Sequence, residues 1–313
     1  MRLIRPVPDN TNIDFVGKRI LAFAFTAALL VITAVSLVWP GLNYGIDFQG
    51  GILIEARAPE PVKVGELRER LEGLQLGAVS LQEFGSPRDV MIRLQQQEGG
   101  DAAQQAAVQK VRDTLGPTYE YRRVELVGPT VGNELLRAGV IATVLSIVAI
   151  ALYVAFRFEW QFGVAALIAT FHDVFVTVGL YAVLQLEFGL TAVAALLTLA
   201  GYSINDTVVI FDRIRETMRK HKVMPLKQII NVSVNQTLSR TVMTAATTMV
   251  AILPLLIFGG SALASFTVAM VWGILIGAFS SVYVAAAVLL YLPPVRRADA
   301  VKPIEGGVRT AEG

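Results

Sequence analysis

Between Arg137 and Arg157 the chain reads Ala138-Gly139-Val140-Ile141-Ala142-Thr143-Val144-Leu145-Ser146-Ile147-Val148-Ala149-Ile150-Ala151-Leu152-Tyr153-Val154-Ala155-Phe156, without one charged side chain. A bilayer core demands about 20 mostly apolar residues in helix, because no water is there to satisfy the backbone. This stretch meets that demand, and five others resemble it. The spacing predicts spans over 20–39, 138–156, 162–184, 188–211, 241–258 and 265–292. Composition agrees: 54% of the 313 residues are hydrophobic, only 17% are charged, and the mean hydropathy is +0.57. A soluble domain carries about a quarter charged residues. The first run has basic residues before it (Arg2, Arg5, Lys18, Arg19), as a signal peptide would. It is too long for an h-region, however, and Trp39-Pro40 follows in place of a small-residue cleavage site, so it reads as a retained anchor.

Lys and Arg set the orientation. Residues 212–240, read as a loop, hold seven basic and two acidic residues. The N-terminus, Arg157 and the tail (Arg296, Arg297, Lys302) add more, whereas 185–187 and 259–261 hold no Lys or Arg. With six spans all the basic segments fall on one side. Residues 1–19 and 293–313 are thus expected in the cytoplasm, with 135–292 carrying spans two to six. Residues 40–134 are expected outside it. That interval reads as strand 51–57, helix 64–74, strand 79–83, strand 89–94, helix 102–115 and strand 119–126. The order βαββαβ predicts an α+β ferredoxin-like domain inserted in a membrane all-α chain. Asp101 is the expected cap of its second helix, Gly116-Pro117 its stop, and Ser86-Pro87 the turn between the middle strands.

Several functions are excluded or disfavoured. Without Cys there are no disulfides, Fe–S clusters or cysteine zinc sites, and one His beside one Asp makes a poor metal site. The net charge of +2 and an exported segment with more acidic than basic residues offer nucleic acid no surface. That segment either binds polypeptide or serves as a scaffold.

Ionisable residues inside spans are the candidate functional groups. Asp206, in Gly201-Tyr202-Ser203-Ile204-Asn205-Asp206-Thr207, can take up and release a proton, or be a static carboxylate satisfied by Asn205 or nearby hydroxyls. Gln236, Arg240, Thr244 and Thr247/Thr248 form one helical stripe, expected to face inward. Arg240 then either approaches Asp206 or snorkels to the interface. Thr170, Asp173 and Thr177 share a face, with His172 about 100° away; these suit a polar relay or a helix–helix hydrogen bond. Asp47, in the glycine-rich Tyr44–Gly51, reads as part of a turn feeding the first strand. Asp212–Glu216 reads as a solvated collar, and Gly273 and Gly277 as small-xxx-small packing.

At these residues the sequence resembles the SecF members of the SecD/SecF protein-export family. The likeness lies in Tyr44–Gly51, Phe171-His172-Asp173-Val174, Gly201 through Glu216, and Asn235-Gln236-Thr237-Leu238-Ser239-Arg240-Thr241. It implies a multi-pass protein of the bacterial inner membrane whose domain 40–134 is periplasmic. Its bundle would be half of a 12-span core of RND type, and not an enzyme. The implied partners are SecD, the SecYEG channel, YajC, translocating preprotein and membrane lipid. Proton motive force would drive it after the ATP-driven stage, with no cofactor. Asp206 would carry the proton and Arg240 be its partner, with Asn205, Asp173, His172, Gln236 and Thr244 in support. The alternatives are half of a small-molecule RND-type transporter or a passive assembly subunit.

Overall fold

The computed structural model describes residues 11–77 and 79–293; Arg2, Arg5 and the tail basic residues Arg296, Arg297 and Lys302 lie outside them. Helix α1 (Arg19–Val38) is the first of six helices among the described residues that are long and apolar enough to cross a membrane. It stops two residues before Pro40, whose ring and missing N–H oppose continuation. The other five are α5 (Pro129–Arg157), α6 (Trp160–Leu184), α7 (Leu190–Lys220), α8 (Leu226–Phe258) and α9 (Gly260–Ser280). A π-turn (Ser281–Ala285) and the short α10 (Ala286–Val288) continue α9.

Three helices outrun the expected spans. Pro129 in the first turn starts α5 nine residues before 138, at a position where a missing N–H costs nothing. Residues 212–240 are not a loop: α7 runs to Lys220, α8 starts at Leu226, and only 221–225 connect them. Apolar residues at helical spacing extend both helices. Phe211, Ile214 and Met218 of α7 and Ile229, Ile230 and Val234 of α8 enter one core with Phe15 and Val16. Pro254 sits inside α8 without ending it.

The sheet domain lies between α1 and α5. A short strand β1 (Asn43–Tyr44) and a single helical turn α2 (Ile46–Gln49) lead into β2 (Gly51–Arg57). Then come α3 (Val64–Glu72), β3 (Val79–Phe84), β4 (Ser86–Leu94), α4 (Gly100–Leu115) and β5 (Glu120–Val127). The sheet order β3-β4-β2-β5, antiparallel at every step, is the ferredoxin-like order the sequence predicts. Alternation along β2 sorts its two faces. Ile52, Ile54 and Ala56 meet Leu67 and Leu71 of α3 and Val108 and Val111 of α4. Leu53 turns the other way, onto Ile46 and Met91. Two local expectations fail. Gly99, not Asp101, occupies the cap position of α4, which starts at Gly100 with no side-chain cap. The β3–β4 turn is at Gly85 (φ +68°), a left-handed conformation glycine adopts freely, so Ser86 already belongs to β4.

The sheet's strongest polar contact is Asp89, 4% exposed, which receives paired hydrogen bonds of 2.7 and 2.8 Å from Arg57 and one of 2.8 Å from Ser86. The Arg57 guanidinium holds its carboxyl down at about 2, below the ordinary 3.8, against the opposing effect of burial. A lowered carboxyl stabilises the fold above its ordinary value and loses that contribution as pH falls through about 2. At roughly 1.4 kcal/mol per pKa unit, Asp89→Asn is expected to weaken the sheet domain by about 2 kcal/mol at pH 7. The difference should vanish between pH 4 and pH 2, as measured by urea unfolding of the full chain followed by circular dichroism.

Candidate functional site

Four helices build the interior around α7. Gly273 of α9 faces Leu199 of α7 so closely that a side chain there would displace it, whereas a Cβ at Gly277 would make only ordinary contact with Ser203. Of the two glycines in the small-residue spacing, Gly273 alone sits at a tight approach. This contact places Ser280 and Ser281 beside α7. Thr207 and Ser281 share a hydrogen bond of 2.9 Å between their hydroxyls.

One turn away, Asp173 of α6 is fully buried and fully engaged. Its Oδ2 accepts from Ser203 of α7 at 2.5 Å and from Ser280 of α9 at 2.6 Å, and its Oδ1 lies 2.9 Å from Nδ1 of His172. Although the Cβ vectors diverge, the imidazole folds back onto its neighbour. Its Nε2 is buried without a partner among the described residues. Of the two sequence readings, the geometry realises the helix–helix hydrogen bond, tying α6, α7 and α9 at one point. Ser203, Ser280, Ser281 and Thr207 were not singled out in the sequence. Serine is common in spans, and only spatial pairing with Asp173 marks these.

Asp206 is the opposite case. It is 1% exposed, and neither carboxylate oxygen has a hydrogen-bond partner among the described residues. Asn205 does not satisfy it: that side chain is exposed and lines an outer pocket with Ala149, Ile150, Tyr153, Ile204 and Val208. Nor do hydroxyls, since Thr207 is committed to Ser281 and Ser203 to Asp173. Arg240 is exposed, lies near enough to act on Asp206 through space, and forms no ion pair with it. It lines a surface pocket with Tyr153, Arg157, Phe158, Val208, Val209 and Asp212.

The stripe on α8 therefore does not face inward. Gln236, Arg240 and Thr247 are exposed, and Thr244 and Thr248 are half-buried. Gln236 accepts a 2.6 Å hydrogen bond from Arg213, while Thr247 and Thr248 return theirs to carbonyls of α8 itself. Only 6% of the apolar window of α8 is buried in this chain, against 61% for the span through α9. Polar side chains on a lipid-length helix turned away from their own bundle leave that face unfinished. Asp212 lies beside Arg240 in its pocket, and Glu216 pairs with Arg213 and Lys220, so the collar is partly folded onto itself.

Asp47 also departs from its expectation. The turn around it is helical, and its Oδ2 accepts from the backbone N–H of Leu190 at 2.7 Å, at the first residue of α7. A carboxylate there meets the positive end of the helix and one of its unsatisfied donors. Gly189 makes the approach feasible, because a Cβ would collide with Asp47. The pairing spans 143 residues and has no local signal.

Comparison with known proteins agrees with this architecture. Residues 107–294 match the family described as Protein export membrane protein SecD/SecF, C-terminal, and residues 35–60 match the SecD/SecF GG motif. The protein translocase subunit SecF of Rhodobacter capsulatus is 44% identical over 304 aligned residues, covering 92% of this chain and 91% of that protein. The SecDF subunit of Brucella abortus is 41% identical and covers 92% of this chain, which corresponds to 38% of the longer protein. The crystal structure of SecDF from Thermus thermophilus, described as translocon-associated, superposes with a TM-score of 0.82 at 37% identity. It covers 91% of this chain and 39% of its own. With motifs, relatives along most of its length and a solved fold all in agreement, the chain belongs to the SecD/SecF family of protein-export membrane proteins.

Proposed function

We propose that this chain is one half of a proton-driven export machine: with SecD it draws on the proton motive force to promote preprotein translocation after the ATP-driven stage. The observation that carries the reading is Asp206, a buried carboxylate without a hydrogen-bond partner in the middle of a span, with Arg240 on the adjacent helix forming no ion pair, both among the described residues. Such a carboxylate has two ways to be stable in a low-dielectric interior, which are to hold a proton or to meet a cation. Alternation between them is a proton-carrying cycle. Arg240 is the cation within reach, and its movement toward Asp206 on deprotonation and away on protonation would tie proton passage to helix motion.

SecD is the partner the reading requires. The unfinished polar face of α8, with Asn205 and Arg240 on the outside, supports a second bundle there, and the SecDF relatives carry a matching segment within a longer chain. Assembly with the SecYEG channel and YajC belongs to the same proposal. Clustered Lys and Arg at the α7–α8 connection support the reading of that end as cytoplasmic in the bacterial inner membrane, with the sheet domain periplasmic and facing emerging preprotein. The magnitudes fit. One charge crossing 100 mV is worth about 2.3 kcal/mol, comparable with the few kcal/mol that separate two conformational states.

Asp206→Asn is expected to abolish the part of export that depends on the proton gradient, measured in inverted membrane vesicles with normal protein level and SecD association. Export at the wild-type rate would rule out the proton role. Arg240→Ala should lose the same component, and Arg240→Lys should keep part of it, because a cation stays in reach. Asp173→Asn is expected to behave oppositely. It should lower the thermal stability of the purified chain by several degrees yet leave Asp206-dependent proton passage in place, since its carboxylate is spent on Ser203, Ser280 and His172.

A further inference from the structure

The connection between spans α6 and α7 forms a short strand, β6 (Glu187–Phe188), which pairs in parallel with β1 in the register Asn43↔Glu187 and Tyr44↔Phe188. Gly45 adds a backbone bond of 3.0 Å to Phe188, and Asn43 donates at 3.0 Å to the carbonyl of Gln185. From the sheet, Arg93 of β4 reaches the same place. Its guanidinium pairs with Glu187 at 2.7 Å and donates to Asn43 at 3.1 Å, and the two charged side chains are only 17% and 28% exposed. Asp47 holds Leu190, the first residue of α7. Beneath these contacts Tyr44, Phe48, Phe188 and Tyr181 interlock, with ring centroids 5.3 to 6.3 Å apart. The carbonyl of Phe48 lies so close to Gly132 of α5 that any side chain there would collide with it.

A mobile joint has few buried contacts and solvated backbone. This seam has the reverse: a strand bridge, a half-buried ion pair, a capped helix end and an aromatic core, all centred on the start of α7. We infer that the sheet domain is fastened to α7 as one rigid body, with Arg93 and Asp47 as the fastenings, so that any shift of the Asp206-bearing helix is delivered to the domain without an intervening hinge. Asp47 fixes the helix end from the β1–β2 side and Arg93 fixes the preceding strand from β4, so the two attachments resist rotation about different axes. Arg93 and Asp47 are in this sense positioning residues for the proposed cycle, and the inference rests on that reading.

The chain has no cysteine, which allows a direct test. Arg93→Cys with Glu187→Cys introduces the only two thiols, and a short bifunctional maleimide applied to membranes reports whether the seam is closed. Cross-linking in most molecules is the expected result, with export by the cross-linked protein within twofold of wild type because the covalent bridge replaces the ion pair. Failure to cross-link, or cross-linking that slows export several-fold, would overturn the inference, because either means that the seam opens. Charge reversal tests the fastening itself. Arg93→Glu and Glu187→Arg should each reduce export at least fivefold, and the two together should restore most of it; single reversals at the wild-type rate, or a swap that restores nothing while protein levels stay normal, would refute it. The cross-link is read on a gel independently of transport. Normal export by Asp206→Asn would remove the proton reading and leave the seam result standing.

Discussion

A carboxylate left without a hydrogen-bond partner inside a spanning helix is the constraint around which this molecule is arranged. Burying an ionised group costs several kcal/mol even after the surroundings relax. No hydrogen bond among the described residues offsets that cost at Asp206, and only Arg240 acts on it through space. The neighbouring hydroxyls that could have done so are turned to other tasks, Thr207 to Ser281 and Ser203 to Asp173. The interior is therefore not short of donors; they are directed elsewhere.

Asp173 shows what satisfaction looks like a few ångströms of helix away. Two serines from different helices and an imidazole surround its oxygens, so α6, α7 and α9 are held at a common point. Gly273 leaves room for Leu199 of α7 where α9 packs on it, two turns before Ser280. One acid thus fixes the packing of α7 and the other, three residues beyond Ser203 on the same helix, is left open. Under the proposed cycle, rigidity beside the open group would let the helix that bears it move as a unit.

How much of this was legible in the sequence follows from the range of each interaction. The spans are local facts about composition, and the bilayer's demand for internally bonded backbone makes them nearly unambiguous. The sheet domain was legible because alternation and helical spacing switch cleanly along 51–127, and the sheet order then follows from connectivity. Boundaries failed where charge and periodicity disagreed. Arg213, Arg215 and Arg219 made 212–240 look like a loop, while Phe211, Ile214 and Met218 kept the helix going beneath them. Asp206 and Arg240 stood out because charges in spans are rare. Asp47, Ser203 and Ser280 did not, since their partners lie 143, 30 and 107 residues away.

The outward stripe on α8 corrects the sequence reading most usefully. Periodicity correctly put Gln236, Arg240 and Thr244 on one face, and the error lay in assuming that a polar face must point into its own bundle. That assumption holds for a complete membrane protein. Here only 6% of the apolar window of α8 is buried, and α1 and α5 are nearly as bare at 17%, whereas the span through α9 is 61% buried. Asp206 is buried inside the bundle, and Arg240 lies exposed on its surface. A second bundle packed against α8 would exclude lipid and water from Arg240, lower the dielectric around the pair and strengthen its pull on Asp206.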